Sequence, residues 1–321
     1  IMTKEENRGR YECLMEGGRV VQSCLLEHLH EHLNAEIVLG TIRSRTEAEA
    51  WLRCSFLATS QGEAGVAAAR DLVEAALESM AKPGLALVAQ GTGGVLQTTR
   101  SGRLMSKFYL AFASMQRLSS VLSREQEVEL PNLLAVPCDC KELSETMLRV
   151  SEKRVLNTLN KSKNGDIIRF PLKEKVNSAE MKVYILLQAV LGVLPISDPS
   201  LSHEATHLVK LAQRLATCLV EMVMHHSQAK ANLALVTNSY LLLKSLTCGL
   251  WENSCHVIKQ MPKVGPVLTS ALITAGFTSF SAIAAANPRL LELAAGKAPP
   301  FGSRVVEFAR QLPQYSLEVG R

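Results

Sequence analysis

His203-Glu204-Ala205-Thr206-His207 satisfies H-E-x-x-H. That spacing sets two imidazoles on one helical face, with a carboxylate beside them to work on a zinc-bound water. The neighbouring residues argue against the metal. At roughly 100° per residue, Lys210, Arg214 and Thr217 fall on the same face. Two cations beside a site disfavour a divalent ion. Glu204 points toward the side shared by Leu208, Leu211, Leu215 and Met222, where its charge suits the positive helix end. A third ligand would have to be His225 or His226, and no spacing places either. The stretch reads as a solvated helix start with no metal. Cys138-Asp139-Cys140 lacks the second C-x₂-C pair of a structural zinc site. The remaining six cysteines read as small core or incidental residues.

A second chemistry needs no metal. Lys210, Gln213, Arg214 and Thr217 form a polar stripe opposite an apolar one. Such a stripe can follow a sugar–phosphate backbone without reading bases; the plain alternative is an ordinary solvated face. Met261-Pro262-Lys263-Val264-Gly265-Pro266-Val267-Leu268-Thr269-Ser270-Ala271-Leu272 fits the apolar-x-Gly-x-Ala pattern of a helix-hairpin-helix. In that motif Gly265 lets the backbone approach a phosphate, and N–H groups at the next helix start, near Thr269, point outward to the anion. The usual pattern has glycine where this chain has Lys263. That lysine could bind a phosphate or narrow the pocket, and a purely structural hairpin stays open as the alternative. Lys153 to Lys175 holds seven Lys/Arg against Asp166 and Glu174. Lys161-Ser162-Lys163-Asn164-Gly165 is its basic turn, either a phosphate contact or a solvated loop.

Other chemistries are missing. No G-x-x-x-x-G-K-[ST] loop occurs, and Gly91-Thr92-Gly93-Gly94 lacks the lysine and reads as a turn. No G-x-S-x-G elbow occurs either.

Helices must position these residues. Leu25, Leu29, Leu33 and Ile37 repeat every four residues. Ser44 or Thr46 caps a helix over 47–57, and another over 67–81 stops at Lys82-Pro83-Gly84. Short strands at 85–88 and 95–98 flank the Gly-rich turn, and three helices followed by a hairpin is the order of a winged helix. Helices are then predicted over 102–118, 140–159, 178–193, 202–224 and 230–246, with one strand-like piece, Ile167-Ile168-Arg169-Phe170. Strands do not alternate with helices, which argues against a doubly wound sheet. From Cys255 onward, Gly and Pro punctuate short helical pieces. The predicted fold is mainly α: a winged helix, a helical bundle of ratchet type, and a helix-hairpin-helix domain.

Composition sets the bounds. The chain has 321 residues, 47% of them apolar, with a mean hydropathy of +0.10, enough for buried cores in two or three domains. The apolar run from Val183 to Ile196 is broken by Gln188 and closed by Pro195, too short for the roughly 20 residues of a membrane span. The charged start, Ile1 to Glu12, is no signal peptide. Eight scattered cysteines argue for a reducing compartment, cytosol or nucleus. Thirty-five basic against thirty acidic residues give +5, a mild lean toward a polyanion. Aromatics at 5% disfavour a platform that stacks many bases.

Several strings together resemble one family: Glu31-His32-Leu33-Asn34-Ala35-Glu36-Ile37-Val38-Leu39-Gly40-Thr41-Ile42, Gly102-Arg103-Leu104-Met105, Leu156-Asn157-Thr158-Leu159-Asn160-Lys161, Ile168-Arg169-Phe170-Pro171, Leu250-Trp251-Glu252-Asn253-Ser254 and Pro299-Pro300-Phe301-Gly302. The chain resembles the C-terminal half of the superfamily-two ATP-dependent DNA helicases of the Ski/Brr type, in their meiotic crossover branch. The resemblance implies residues 1–22 as a linker after two motor domains, 23–100 as the winged helix, 101–254 as the bundle, 255–313 as the helix-hairpin-helix, and 314–321 as the start of a truncated sandwich. It implies ATP and magnesium in motor domains outside this fragment and no cofactor within it. The partners would be single-stranded or branched DNA and recombination proteins, with no membrane, in the nucleus. The expected strand-contacting residues are Lys210, Gln213 and Arg214, with Lys263, Gly265 and Thr269 in the hairpin. Thr217 stands where the family tends to place a second arginine. The rival reading is a protein-interaction scaffold without strand tracking; the module also occurs in adaptors of the wider clade.

Overall fold

The computed structural model describes residues 2–17, 22–82, 87–91, 94–122, 128–161, 167–226, 229, 231–313 and 315. The predicted turn tip at 92–93, the stop at 83–84, part of the first strand at 85–86, the basic turn at 162–166 and most of 314–321 lie outside the described residues. The fold is mainly α, and among the described residues the only sheet is a two-stranded hairpin. No helix among them is long and apolar enough to cross a membrane. Two compact units divide the chain, Ile1–Glu125 and Gln126–Arg321.

The first unit contains α1 (Arg8–Met15), α2 (Leu29–Leu39), α3 (Arg45–Arg53), α4 (Phe56–Thr59), α5 (Gly62–Met80), β1 (Val88–Gln90), β2 (Leu96–Thr98), α6 (Arg100–Phe108) and α7 (Phe112–Leu122). The four-residue repeat buries Leu29, Leu33 and Ile37 on one side of α2. Gly40, at φ 78°, ends α2 with its N–H on the carbonyls of Glu36 and Ile37, the left-handed stop at which glycine costs least. Ser44 is the cap of α3. Its hydroxyl accepts from the Glu47 N–H at 3.2 Å, and Glu47 Oε2 accepts from the N–H of Arg43, the residue before the cap, at 2.6 Å. β1 and β2 pair antiparallel with Ala89 opposite Gln97. The Leu96 N–H also donates to the Arg43 carbonyl at 2.8 Å.

The predicted helix over 102–118 is two helices. Tyr109 adopts φ 50°, and α7 begins where the Phe112 N–H meets Glu31 Oε1 at 2.8 Å. A carboxylate 81 residues away supplies this helix start, a cap that no local sequence signal announces. Gly102 has a comparable origin. A Cβ there would overlap the Leu87 carbonyl oxygen, and Asn34 Nδ2 donates to the Gly102 carbonyl and to Ser106 Oγ, each at 2.9 Å.

The second unit contains α8 (Leu130–Cys138), α9 (Lys141–Ser144), α10 (Lys153–Asn160), α11 (Ala179–Leu191), α12 (Pro199–His225), α13 (Leu233–Cys248), α14 (Pro266–Thr274), α15 (Phe280–Ala285), α16 (Pro288–Ala295) and α17 (Phe301–Gln311). Residues 182–189 of α11 are all buried, so this helix is the centre of the bundle. The predicted helix over 140–159 is instead α9, a 3₁₀ turn at Val150–Glu152, and α10. No strand forms at Ile167–Phe170. Three amide side chains hold the chain from Phe170 to Val176. Gln188 accepts from the Phe170 N–H (2.7 Å) and donates to its carbonyl (3.2 Å). Asn160 does the same for Leu172 (2.7 and 3.0 Å), and Asn157 accepts from the Val176 N–H (3.1 Å). Backbone groups that a strand neighbour would satisfy are satisfied by side chains. Beyond Trp251 the chain builds a separate core from Ile258, Met261, Val264, Leu272, Ile283, Leu291 and Val305.

Candidate nucleic-acid interface

α12 is capped by Asp198, whose carboxylate accepts from the N–H groups of Ser200 (2.8 Å) and Leu201 (3.2 Å), with Pro199 at the first helical position. The helix thus starts one turn before the predicted Ser202. Its apolar side is sequestered through Ala205, Leu208, Ala212, Leu215 and Leu219, which leaves the polar stripe at the margin. Lys210 is exposed, and Gln213, Arg214 and Thr217 are half-buried. Gln213 Nε2 donates to Thr247 Oγ1 of α13 at 3.4 Å, which ties the stripe to the next helix. Thr217 donates back to the Gln213 carbonyl at 2.8 Å. Arg214 Nε is enclosed and has no hydrogen-bond partner, while its residue remains partly open. An aliphatic stem lying on the helix with the charged end outward is the usual compromise for such a side chain.

The H-E-x-x-H residues separate. His203 and His207 are exposed. Glu204 turns inward to Lys182 Nζ at 3.0 Å, so its carboxylate is held by an ammonium on α11 in addition to sitting near a helix start. Lys182 is 1% exposed and also donates to Glu152 Oε2 (2.8 Å) and the Met147 carbonyl (2.9 Å). Three donors meet three acceptors, which is what an ammonium deprived of water requires. The sequence pattern does not single out this lysine, which stands immediately before the apolar run from Val183 to Ile196. Among the described residues no group of three or more His, Cys, Asp or Glu is placed to hold a metal. Cys138 and Cys140 are buried, and burial first, then the neighbouring Asp139, pushes the Cys138 thiol well above its ordinary value.

In the hairpin, Lys263 has φ 65° and is exposed. The position that is glycine in the usual pattern is left-handed here, yet carries a side chain. Gly265 caps α14 at φ −84°, with nothing within 4 Å of an added Cβ. Its conformation therefore does not require glycine, and its surroundings stay open. Thr269 is buried, and both its N–H and its hydroxyl donate to the Gly265 carbonyl at 3.0 Å. Its side chain is thus an internal brace for the turn and offers no contact to a ligand. Lys210, Gln213 and Arg214 share one helix face; Lys263 and Gly265 belong to the helices with the separate core.

Two cations of the basic segment before α11 are committed within the chain. Arg169 Nη1 contacts both oxygens of Glu252 at 2.8 and 2.9 Å, and its guanidinium stands 5.0 Å from the Phe170 ring and 5.1 Å from the Trp251 ring. Lys161 Nζ donates to the Lys173 carbonyl.

The family model of the Sec63 Brl domain matches residues 98–319. Over 99% of its length the chain is 36% identical to a mouse (Mus musculus) protein named probable ATP-dependent DNA helicase HFM1, of which it covers 23%. It is 33% identical to the ATP-dependent DNA helicase homolog MER3 of Arabidopsis thaliana, over 98% of the chain and 29% of that protein. It is 26% identical to the U5 small nuclear ribonucleoprotein 200 kDa helicase of Caenorhabditis elegans, over 99% of the chain and 15% of that protein. The chain thus spans about a quarter of the length of its more similar relatives.

Proposed function

We propose, since the chain belongs to the Sec63 Brl domain family, that it is the strand-holding part of an ATP-dependent DNA helicase acting in meiotic recombination in the nucleus. The observation that carries this reading is the open, cation-bearing margin of α12, with Lys210 exposed and Arg214 half-buried, in a chain aligned from end to end with proteins named as DNA helicases.

In this reading residues 23–100 act as a winged helix that separates the duplex. The bond from Leu96 to the Arg43 carbonyl supports it, because it joins the hairpin to the link between α2 and α3. Residues 101–254 are the ratchet-type bundle and 255–313 the helix-hairpin-helix. Lys210, Gln213 and Arg214 hold phosphates of a single strand, and Lys263 and the N–H groups after Gly265 hold another stretch of backbone. Recombination proteins would be further partners. ATP and magnesium belong to motor segments of a complete helicase. The bond of the Gly91 N–H to the Val95 carbonyl at 2.7 Å supports reading the glycines at 91 and 94 as part of a hairpin turn.

Binding through phosphates is independent of base sequence and steeply salt-dependent. The test is fluorescence anisotropy with a labelled single-stranded oligonucleotide across a salt series. Lys210→Ala and Arg214→Ala should each weaken binding and flatten the slope of log K against log salt by about 0.7 per lost single-strand contact. A wild-type affinity that stays flat with salt would reject the reading.

A scaffold reading has one observation in its favour. Val267, Leu290 and Leu293 are 83%, 55% and 78% exposed on α14 and α16, which pack together. Tight capture of a recombination protein with no retention of DNA would select it.

A further inference from the structure

The polar margin does not end with α12. Gln213 meets Thr247 on α13, and Thr247 belongs to an exposed row at helical spacing: Thr237, Tyr240, Lys244, Thr247 and Cys248. α13 follows α12 after seven residues and packs along it. The contact at Thr247 therefore sets the two exposed rows side by side. At 1.5 Å per residue, Lys244 lies about one turn and Tyr240 about two turns from Thr247 along α13.

The charge on this double row has one sign over its middle. No Asp or Glu occurs anywhere in α13, nor on α12 between Glu204 and Glu221. Glu204 is neutralised from within by Lys182. Lys210, Arg214 and Lys244 make no ion pair among the described residues, so their charge is available to an outside anion. Tyr240 is 49% exposed. It is a flat aromatic face one turn from Lys244 on the same exposed row of α13.

We propose that α13 is a second rail of the same strand site, with Lys244 on a phosphate and Tyr240 stacking on a base. This rests on the single-strand reading above and adds a contact that phosphates alone do not explain. Phosphate contacts ignore whether a base is present; a stacked tyrosine does not. Stacking tolerates any base, so it fits a strand that must slide.

The experiment compares one oligonucleotide with the same oligonucleotide carrying abasic sites, using the 321-residue chain. Tyr240→Ala should weaken binding of the base-bearing strand roughly 5- to 100-fold, leave its salt slope unchanged, and have little effect on the abasic strand. Tyr240→Trp should restore affinity, and its fluorescence should be quenched when the base-bearing strand binds. Lys244→Ala should weaken both strands equally and flatten the slope by about 0.7. Equal affinity of Tyr240→Ala and wild type for the base-bearing strand overturns the second rail. So does an equal loss on both strands. If Lys210→Ala and Arg214→Ala change the salt slope while Tyr240→Ala does nothing, the inference fails and the single-strand reading stands. If neither set of variants changes binding, that reading fails with it.

Discussion

Lys182 on α11 and Glu204 on α12 form an ion pair at 3.0 Å, with the ammonium almost fully enclosed and the carboxylate 30% exposed. The pair anchors the front of α12 to α11, the central helix of the bundle. It also fixes Glu204, the carboxylate of the H-E-x-x-H pattern, toward the bundle interior.

Removing Lys182 should be costly because Glu152 is buried with it. Lys182→Ala leaves that carboxylate with only the Arg149 N–H at 3.0 Å and the Arg149 guanidinium at 3.8 Å, and losses of about 3–5 kcal/mol are typical when one partner of a buried pair is deleted. Glu204→Gln should cost far less, since Glu204 is partly open to water. Lys182→Met combined with Glu152→Gln should recover much of the loss. Urea denaturation of the four proteins checks the order; equal midpoints for Lys182→Ala and wild type would refute it.

Lys263 holds a left-handed backbone in a residue with a Cβ. A glycine relieves a steric cost of about 1–2 kcal/mol per residue but loses about 0.5–1 kcal/mol to chain entropy. Lys263→Gly should therefore raise stability modestly. If Lys263 also contacts a phosphate, the same change should weaken oligonucleotide binding. Opposite signs in thermal melting and anisotropy are the expected result.

Glycines that look alike in the sequence should differ sharply. A Cβ on Gly302 would overlap the Pro288 backbone carbonyl, where α16 and α17 pack. Gly302→Ala should destabilise by about 1–3 kcal/mol or more, the range for overpacking. Gly265→Ala should fold normally, because nothing lies within 4 Å. A change in oligonucleotide affinity with Gly265→Ala would then report on ligand approach rather than on folding.

His30 stacks on Phe112 with ring centres 4.3 Å apart, and its Nε2 lies 2.7 Å from Ser79 Oγ. Burial lowers its pKa below the ordinary 6.5, and the nearby Glu31 opposes this only in part. The unfolded chain therefore binds this proton more readily than the folded one. Its contribution to stability is complete above about pH 6.5 and is lost as pH falls toward the depressed folded value. His30→Gln should flatten that acid-side decline in melting temperature. Superimposable pH profiles for variant and wild type would contradict the assignment.

The sequence carried the helical class, the α2 core face and the α12 stripe, because each follows from a period of three or four residues. It did not carry the break at Tyr109, because the cap for α7 comes from Glu31. It did not carry the fate of Ile167–Phe170, whose apolar-rich pattern is the same whether a strand neighbour or the Gln188 amide receives the backbone of Phe170. The strings that signalled the resemblance are contact partners in space. Asn34 binds Gly102, Asn160 binds Leu172 beside Pro171, and Arg169 binds Glu252 next to Trp251. At the candidate site, Lys210 was legible as an exposed cation. The inward turn of Thr269 was not, since its hydroxyl answers to a carbonyl four residues back.

The amide clamp by Asn157, Asn160 and Gln188 has a consequence for solubility. An extended segment held by its own protein's side chains has its hydrogen-bonding groups already spoken for at Phe170 and Leu172. At those two residues a second copy's strand finds no free backbone donor or acceptor with which to begin a shared sheet.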